Sequence, residues 1–129
     1  MTSSVTIHSD VLHLEPRVEA NRIADSIRQQ VFSQLKRKGA VIGISGGIDS
    51  SVVASLCVRA LGKDRVVGVF MPEEESFPDS LRLGRMVAEN LGIRSFVEDI
   101  SLTNFRVQFY GGALQEIATK YSMFCCSEP

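Results

Sequence analysis

The chain of 129 residues reads as an α/β protein, a three-layer α/β/α arrangement built on a parallel sheet. Three observations predict this. Two apolar runs, 40–44 and 66–70, are continuous rather than alternating, the pattern of strands covered on both faces. Each is followed by a segment whose apolar residues recur at helical spacing. A third short run closes the order strand, helix, strand, helix, strand, which implies parallel pairing through right-handed crossovers.

Taken in order, residues 1–15 form a polar, irregular tail, and 16–129 form the domain. His8 and His13 lie in or beside that tail with no third ligand nearby, so they read as solvated histidines. From 16 to 38 the pattern is helical, with Val18, Ile23, Ile27, Val31 and Leu35 as one apolar face. Pro16 suits a first turn. Lys36, Arg37 and Lys38 suit a last turn, where cations favour the helix dipole, and Gly39 suits a C′ stop. A basic cluster can also bind phosphate, but capping accounts for it sufficiently.

Residues 40–44 are the first strand and 51–61 the next helix. Val52, Val53, Leu56, Cys57, Ala60 and Leu61 make that helix apolar over most of its circumference, so deep packing is expected, with Gly62 as its end. Val66 to Phe70 form the second strand. An acidic run, Glu73 to Glu75, reads as a solvated loop. A helix from Asp79 to Asn90, closed by Leu91-Gly92, leads to a third strand at 93–97. Beyond Ser101 the signal fades. Phe105, Val107 and Phe109 alternate weakly, Gly111-Gly112 marks a turn, and 113–123 can be a helix.

Composition narrows the functional classes. Net charge is −1, so bulk electrostatics give no reason to expect a nucleic acid or a membrane as partner. No apolar run reaches membrane-spanning length, and no signal peptide is indicated, so a cytoplasmic location is expected. Cys57 lies in the apolar helix as a small core residue. Cys125 and Cys126 are adjacent and lack metal-site or redox-motif spacing.

The chemistry concentrates in the connection after the first strand, Ser45-Gly46-Gly47-Ile48-Asp49-Ser50-Ser51. A helix start leaves backbone N–H groups unpaired, and the macrodipole adds partial positive charge there. Gly46 and Gly47 carry no Cβ, so a bulky anion can approach the main chain. The serines add hydroxyl donors, and the whole is an anion cradle. Asp49 should repel phosphate unless a divalent cation lies between them. Mg²⁺ takes one or two carboxylates plus substrate phosphate oxygens. A glycine-rich turn with Ser50 as a plain N-cap would explain the glycines but not Ser45 and Asp49 as well. The Walker A pattern is excluded because no Lys follows Gly47, and the dinucleotide fingerprint because the glycine spacing is wrong.

Ser-Gly-Gly-x-Asp-Ser in a strand–loop–helix setting resembles the loop of the N-type ATP pyrophosphatases, the PP-loop superfamily. Within it the chain is similar to NAD synthetases over roughly residues 16 to 100. The resemblance rests on Gly43 to Ser51, Ala60-Leu61-Gly62, the run from Val66 to Pro72, Ser80-Leu81, and Ala88 to Ile93. It implies an incomplete adenine nucleotide alpha-hydrolase-like, Rossmann-like domain. It also implies a reaction: ATP adenylates nicotinic acid adenine dinucleotide, pyrophosphate leaves, and ammonia displaces AMP to give NAD⁺. The site residues it implies are Gly43, Ser45, Gly46, Gly47, Asp49, Ser50 and Ser51 for the phosphates, with Asp49 holding Mg²⁺.

Ligands in such sheets bind beyond the carboxyl ends of the strands, which places Phe70 and Met71 beside adenine or ribose. Core packing is the competing reading of both.

Family members have a five-stranded sheet and are about twice as long. The chain therefore looks like an amino-terminal half, expected to turn over poorly alone. The resemblance implies ATP and Mg²⁺, free ammonia or a separate glutaminase, and a homodimer at full length. Two other classes remain open: another PP-loop enzyme (sugar amidotransferase, tRNA thiolation, asparagine or GMP synthetase-like), or a non-catalytic nucleotide-binding subunit.

Overall fold

Strands β1 (Ala40–Gly43), β2 (Val66–Phe70) and β3 (Arg94–Val97) pair in parallel in the order β1-β2-β3. The computed structural model describes residue 10 and residues 13–72 and 78–98. In the register Ala40 faces Val66, and Val67 faces Arg94. The ladder runs one step past β1, where the Ile44 N–H donates to the Val69 carbonyl at 2.9 Å. The parallel sheet and the element order agree with the reading from sequence. The expectations for residues 73–77 and 99–129, including the helix at 113–123 and Cys125 and Cys126, lie outside the described residues, as does His8.

Helices α2 (Ile48–Leu61) and α3 (Pro78–Leu91) share one face of the sheet. Ala54, Cys57, Ala60 and Leu61 of α2 and Ala88 of α3 pack with Ile44, Val66, Phe70 and Ile93 in one core. The other face carries Val67 and Val69, both fully buried, with Val41, Met71 and Phe96 against them. β2 is buried along its whole length, as its unbroken apolar run predicts.

Three small residues set how closely these layers approach. A Cβ on Gly84 would stand 3.0 Å from the Phe70 ring, and one on Gly68 would stand 2.8 Å from Ile44 Cδ1. Ala54 is fully buried. α3 ends in a Schellman motif: Gly92 at φ +66 donates to the Glu89 carbonyl and Ile93 to that of Ala88.

Helix α1 (Pro16–Arg28) lies against α2 and continues into a π-helical segment (Gln29–Gln34). Arg28 Nε donates to the Ala60 carbonyl at 3.0 Å, and Arg59 grips the Asn21 amide oxygen. Here the structure corrects the expected boundary. The helix stops at Gln34, and Lys36 takes a left-handed conformation at φ +51. Lys36 to Lys38 therefore follow the helix instead of forming its last turn.

The wide turns donate from Leu35 to Gln30 and from Arg37 to Val31. More residues per turn shift the phase of the apolar face. Val31 and Phe32 pack inward together, and Leu35 is left 63% exposed. Val18 is exposed as well, in the first turn ahead of the Asn21–Arg59 contact. Gly39 is not a helix stop. A Cβ there would collide with the Arg65 carbonyl, so its role is to let β1 start beside β2.

The second correction concerns α2. It begins at Ile48, not Ser51, and its buried stripe is narrower than expected. Ile48, Val52 and Val53 face outward. A helix lying flat on a sheet buries one stripe, so a circumference of apolar side chains leaves several exposed. Gly62 closes α2 as expected, at φ +90, its N–H on the Val58 carbonyl.

Candidate functional site

The carboxyl end of the sheet collects β1's exit, the start of α2, Met71 and the first turn of α3. The connection there is short because α2 starts at Ile48, with Gly47 as its N-cap in extended conformation. Ser50 is therefore the third helical residue and not the cap. No side chain caps this helix.

The loop's own hydroxyls hold its shape. Ser45 N–H donates to Ser50 Oγ at 3.2 Å, and Ser45 Oγ lies 3.0 Å from Ser50 Oγ. Gly47 N–H donates to Ser45 Oγ at 3.2 Å. Ser51 Oγ donates to the Gly47 carbonyl at 2.7 Å, and Ser50 Oγ reaches the same oxygen at 3.3 Å. With the Ser51 N–H, which donates to the Gly47 carbonyl at 3.3 Å, three of the loop's N–H groups are used internally. Among the described residues, no acceptor meets the N–H of Gly46, Ile48, Asp49 or Ser50. Those are the donors a helix start offers to an anion.

The wall behind the loop is the backbone of α3. Gly46 sits at φ +86, and a Cβ there would stand 3.0 Å from Ser80 C and Cα, closer still to the Ser80 carbonyl oxygen. Sequence reasoning named Gly46 for anion access; its contact with Ser80 was not visible there. No local pattern could reveal it, because the two residues meet only when α3 folds back over the sheet. Gly84, which seats α3 against Phe70 and Ile44, was likewise missed; a lone glycine within an apolar helical pattern is the signal that points to it.

The structure brings most of the expected site residues together. Gly43 lies under Met71, whose Cε would be 2.8 Å from a Gly43 Cβ. Met71 is half-buried, packed with Val67 and Val69 on the face of the sheet away from α2 and α3. Phe70 is 3% exposed, its ring packed on Gly84 and its carbonyl accepting from Glu98 N–H. Its side chain is core, so of the pair only Met71 is partly exposed.

Asp49 is exposed in the first turn of α2, with no ion-pair partner among the described residues. No group of three or more metal-binding side chains occurs among those residues. A lone carboxylate beside unpaired amides fits a cation that brings most of its ligands with it, as Mg²⁺ on a triphosphate does. Cys57 is buried away from the loop, and burial pushes its thiol pKa up, the opposite of a reactive cysteine.

Residues 19–120 match the family model for NAD synthase. An NH₃-dependent NAD⁺ synthetase of Mesorhizobium japonicum is 54% identical over 109 residues, covering 84% of this chain and 34% of that protein. One from Methanocaldococcus jannaschii is 51% identical over 81 residues, 63% of this chain and 31% of its own length. Among solved structures, the NH₃-dependent NAD synthetase of Campylobacter jejuni is similar with a TM-score of 0.62 at 25% identity, over 84% of this chain and 42% of that one. The NMN synthetase of Francisella tularensis shares the fold, with a TM-score of 0.65 at 22% identity, over 83% of this chain and 41% of that one. The chain spans about a third of the length of the curated relatives it matches, less than the half expected.

Proposed function

The chain belongs to the NAD synthase family, and on that premise we propose that it supplies the ATP- and pyrophosphate-binding part of an amide-forming ligase. The reaction proposed is ATP-dependent conversion of nicotinic acid adenine dinucleotide and ammonia to NAD⁺, AMP and pyrophosphate. A carboxylate oxygen of the acceptor attacks the α-phosphorus, and the bond to pyrophosphate breaks. Ammonia then attacks the acyl carbon, AMP leaves, and the proton lost from nitrogen goes to solvent.

The observation that carries this reading is the set of unpaired amides on Gly46, Ile48, Asp49 and Ser50, braced from behind by Ser80. They offer fixed donors to the departing pyrophosphate at no cost of reorganisation. Ser45, Ser50 and Ser51 hold the loop in that shape. Gly43 and Gly47 leave room for the ligand. Met71 is proposed to contact adenine or ribose, whereas the Phe70 ring packs on Gly84 on the other face of the sheet. Asp49 is proposed to hold Mg²⁺, which would neutralise charge on the phosphates. No side-chain nucleophile is required, because positioning and charge neutralisation supply the catalysis.

Homodimerisation, ammonia from solution or from a separate glutaminase, and a cytoplasmic location belong to the same proposal. Among the described residues no helix is long and apolar enough to cross a membrane.

Calorimetry with ATP and Mg²⁺ tests the reading. Binding that falls at least tenfold in an Asp49→Ala variant supports it (about 1.4 kcal/mol, one charge-assisted contact). Equal binding by both proteins removes Asp49 from the site, and no binding by the parent removes the loop.

A further inference from the structure

The opposite end of the sheet carries a second, unassigned feature. Three segments enter the strands there: 35–39 before β1, 62–65 before β2, and 92–94, which ends on the first residue of β3. Between them they hold Lys36, Arg37, Lys38, Lys63, Arg65 and Arg94, against one acid, Asp64. All seven are exposed. In the sequence they are scattered over nearly sixty positions, and only strand order β1-β2-β3 makes them neighbours.

The contacts confirm the adjacency. The Gly39 backbone abuts the Arg65 carbonyl, and Lys63 Cδ lies 3.5 Å from where a Gly92 Cβ would be. Arg94 Nη2 donates to the Asp64 carbonyl at 3.4 Å. Arg65 is held over the Phe32 ring, 5.2 Å from its centroid. The capping role expected for Lys36 to Lys38 is also weaker than supposed, since the helix ends before them.

We infer that this basic row is a docking surface for a short acidic peptide segment of a partner protein. Strands lie about 4.8 Å apart, so the row spans roughly 10 Å between its outer strands. That length matches three or four residues of extended chain at about 3.3 Å each, whose alternate side chains face one way. A nucleic-acid strand would find room for only two or three phosphates, too few for useful affinity at physiological salt. Among the described residues it would also find no exposed aromatic ring to stack on; Phe32 is half-buried beneath Arg65. The remainder of the chain is net acidic, because the row takes six of the 14 Lys and Arg but one of the 15 Asp and Glu. A long polyanion is repelled beyond the row, whereas a short acidic segment is not. Leu35, directly before Lys36 and exposed, offers an apolar contact, which a peptide side chain can use and a phosphodiester cannot.

The test is fluorescence anisotropy on the full chain with two labelled probes: a glutamate-rich octapeptide containing one leucine, and a single-stranded DNA octamer. The expected result is peptide binding that weakens with salt and falls roughly tenfold or more in an Arg37→Glu/Lys38→Glu/Lys63→Glu variant. ATP–Mg²⁺ binding should be unchanged, since the loop is at the other pole. If that variant fails to fold, Lys38→Gln/Lys63→Gln replaces it, with a weakening of a few fold. The inference is overturned if the peptide does not bind the parent, if folded variants bind it equally well, or if the DNA binds more tightly than the peptide.

Discussion

Gly46 and Gly62 provide a matched pair for separating backbone strain from steric blockade. Gly46 sits at φ +86 and Gly62 at φ +90, both conformations that side chains resist. Replacing either by Ala incurs a strain of about 1–3 kcal/mol. The surroundings differ. An added Cβ at Gly62 meets nothing within 4 Å, whereas one at Gly46 falls against the Ser80 main chain, 3.0 Å from C and Cα. Main-chain atoms in the first turn of a packed helix cannot swing aside as a side-chain end would. Forcing atoms into such a space adds about 1–3 kcal/mol.

Gly46→Ala should therefore cost about 1–3 kcal/mol more than Gly62→Ala in urea denaturation, with the slope unchanged. Any relief comes from displacing the loop from α3, so Gly46→Ala should also weaken ATP–Mg²⁺ binding while Gly62→Ala leaves it alone. Equal losses of stability in the two variants would refute the contact with Ser80. Unchanged nucleotide binding in a folded Gly46→Ala protein would refute its bearing on the site.

Other outcomes follow from the same geometry. Asp49→Asn should weaken binding of ATP with Mg²⁺ but strengthen binding of ATP in chelator, because the carboxylate repels a bare triphosphate; calorimetry in both buffers reads the two signs. Ser45→Ala removes the acceptor for Gly47 N–H and the partner of Ser50 Oγ, and should destabilise the fold by about 1–2 kcal/mol in chemical denaturation. Cys57 has its thiol pKa raised by burial, so the folded state holds that proton more tightly than the unfolded one. Its contribution is complete below about pH 8.5, the unfolded value, and is lost as pH rises above it. A Cys57→Ala variant should lose part of the alkaline fall in stability, and denaturation midpoints across pH 7 to pH 10 would show it.

The strands, their parallel pairing and the strand–loop–helix connection at 44–48 were legible in the residues. β2 matched its expected limits because an unbroken apolar run bounded by polar residues allows one reading. The loop was legible because its shape depends on local chemistry: small residues and hydroxyls at a helix start. The end of α1 was not. A near-fourfold apolar spacing extrapolates an α-helix, and the switch to wider turns at Gln29 rotated Leu35 outward. α2 was misjudged for a related reason, since hydrophobicity all round a helix does not say which stripe meets the sheet.

The amino-acid order by itself determined which segments become strands and helices, and where a helix start leaves backbone amides unpaired. Those outcomes follow from interactions within a few residues. Only the tertiary structure decided that Ser80 backs the loop, that Phe70 and Met71 pack on opposite faces of the sheet, and that six scattered cations form one row. Those depend on segments far apart in the chain being pressed together, and the glycines at 39, 46 and 84 set how closely they can come.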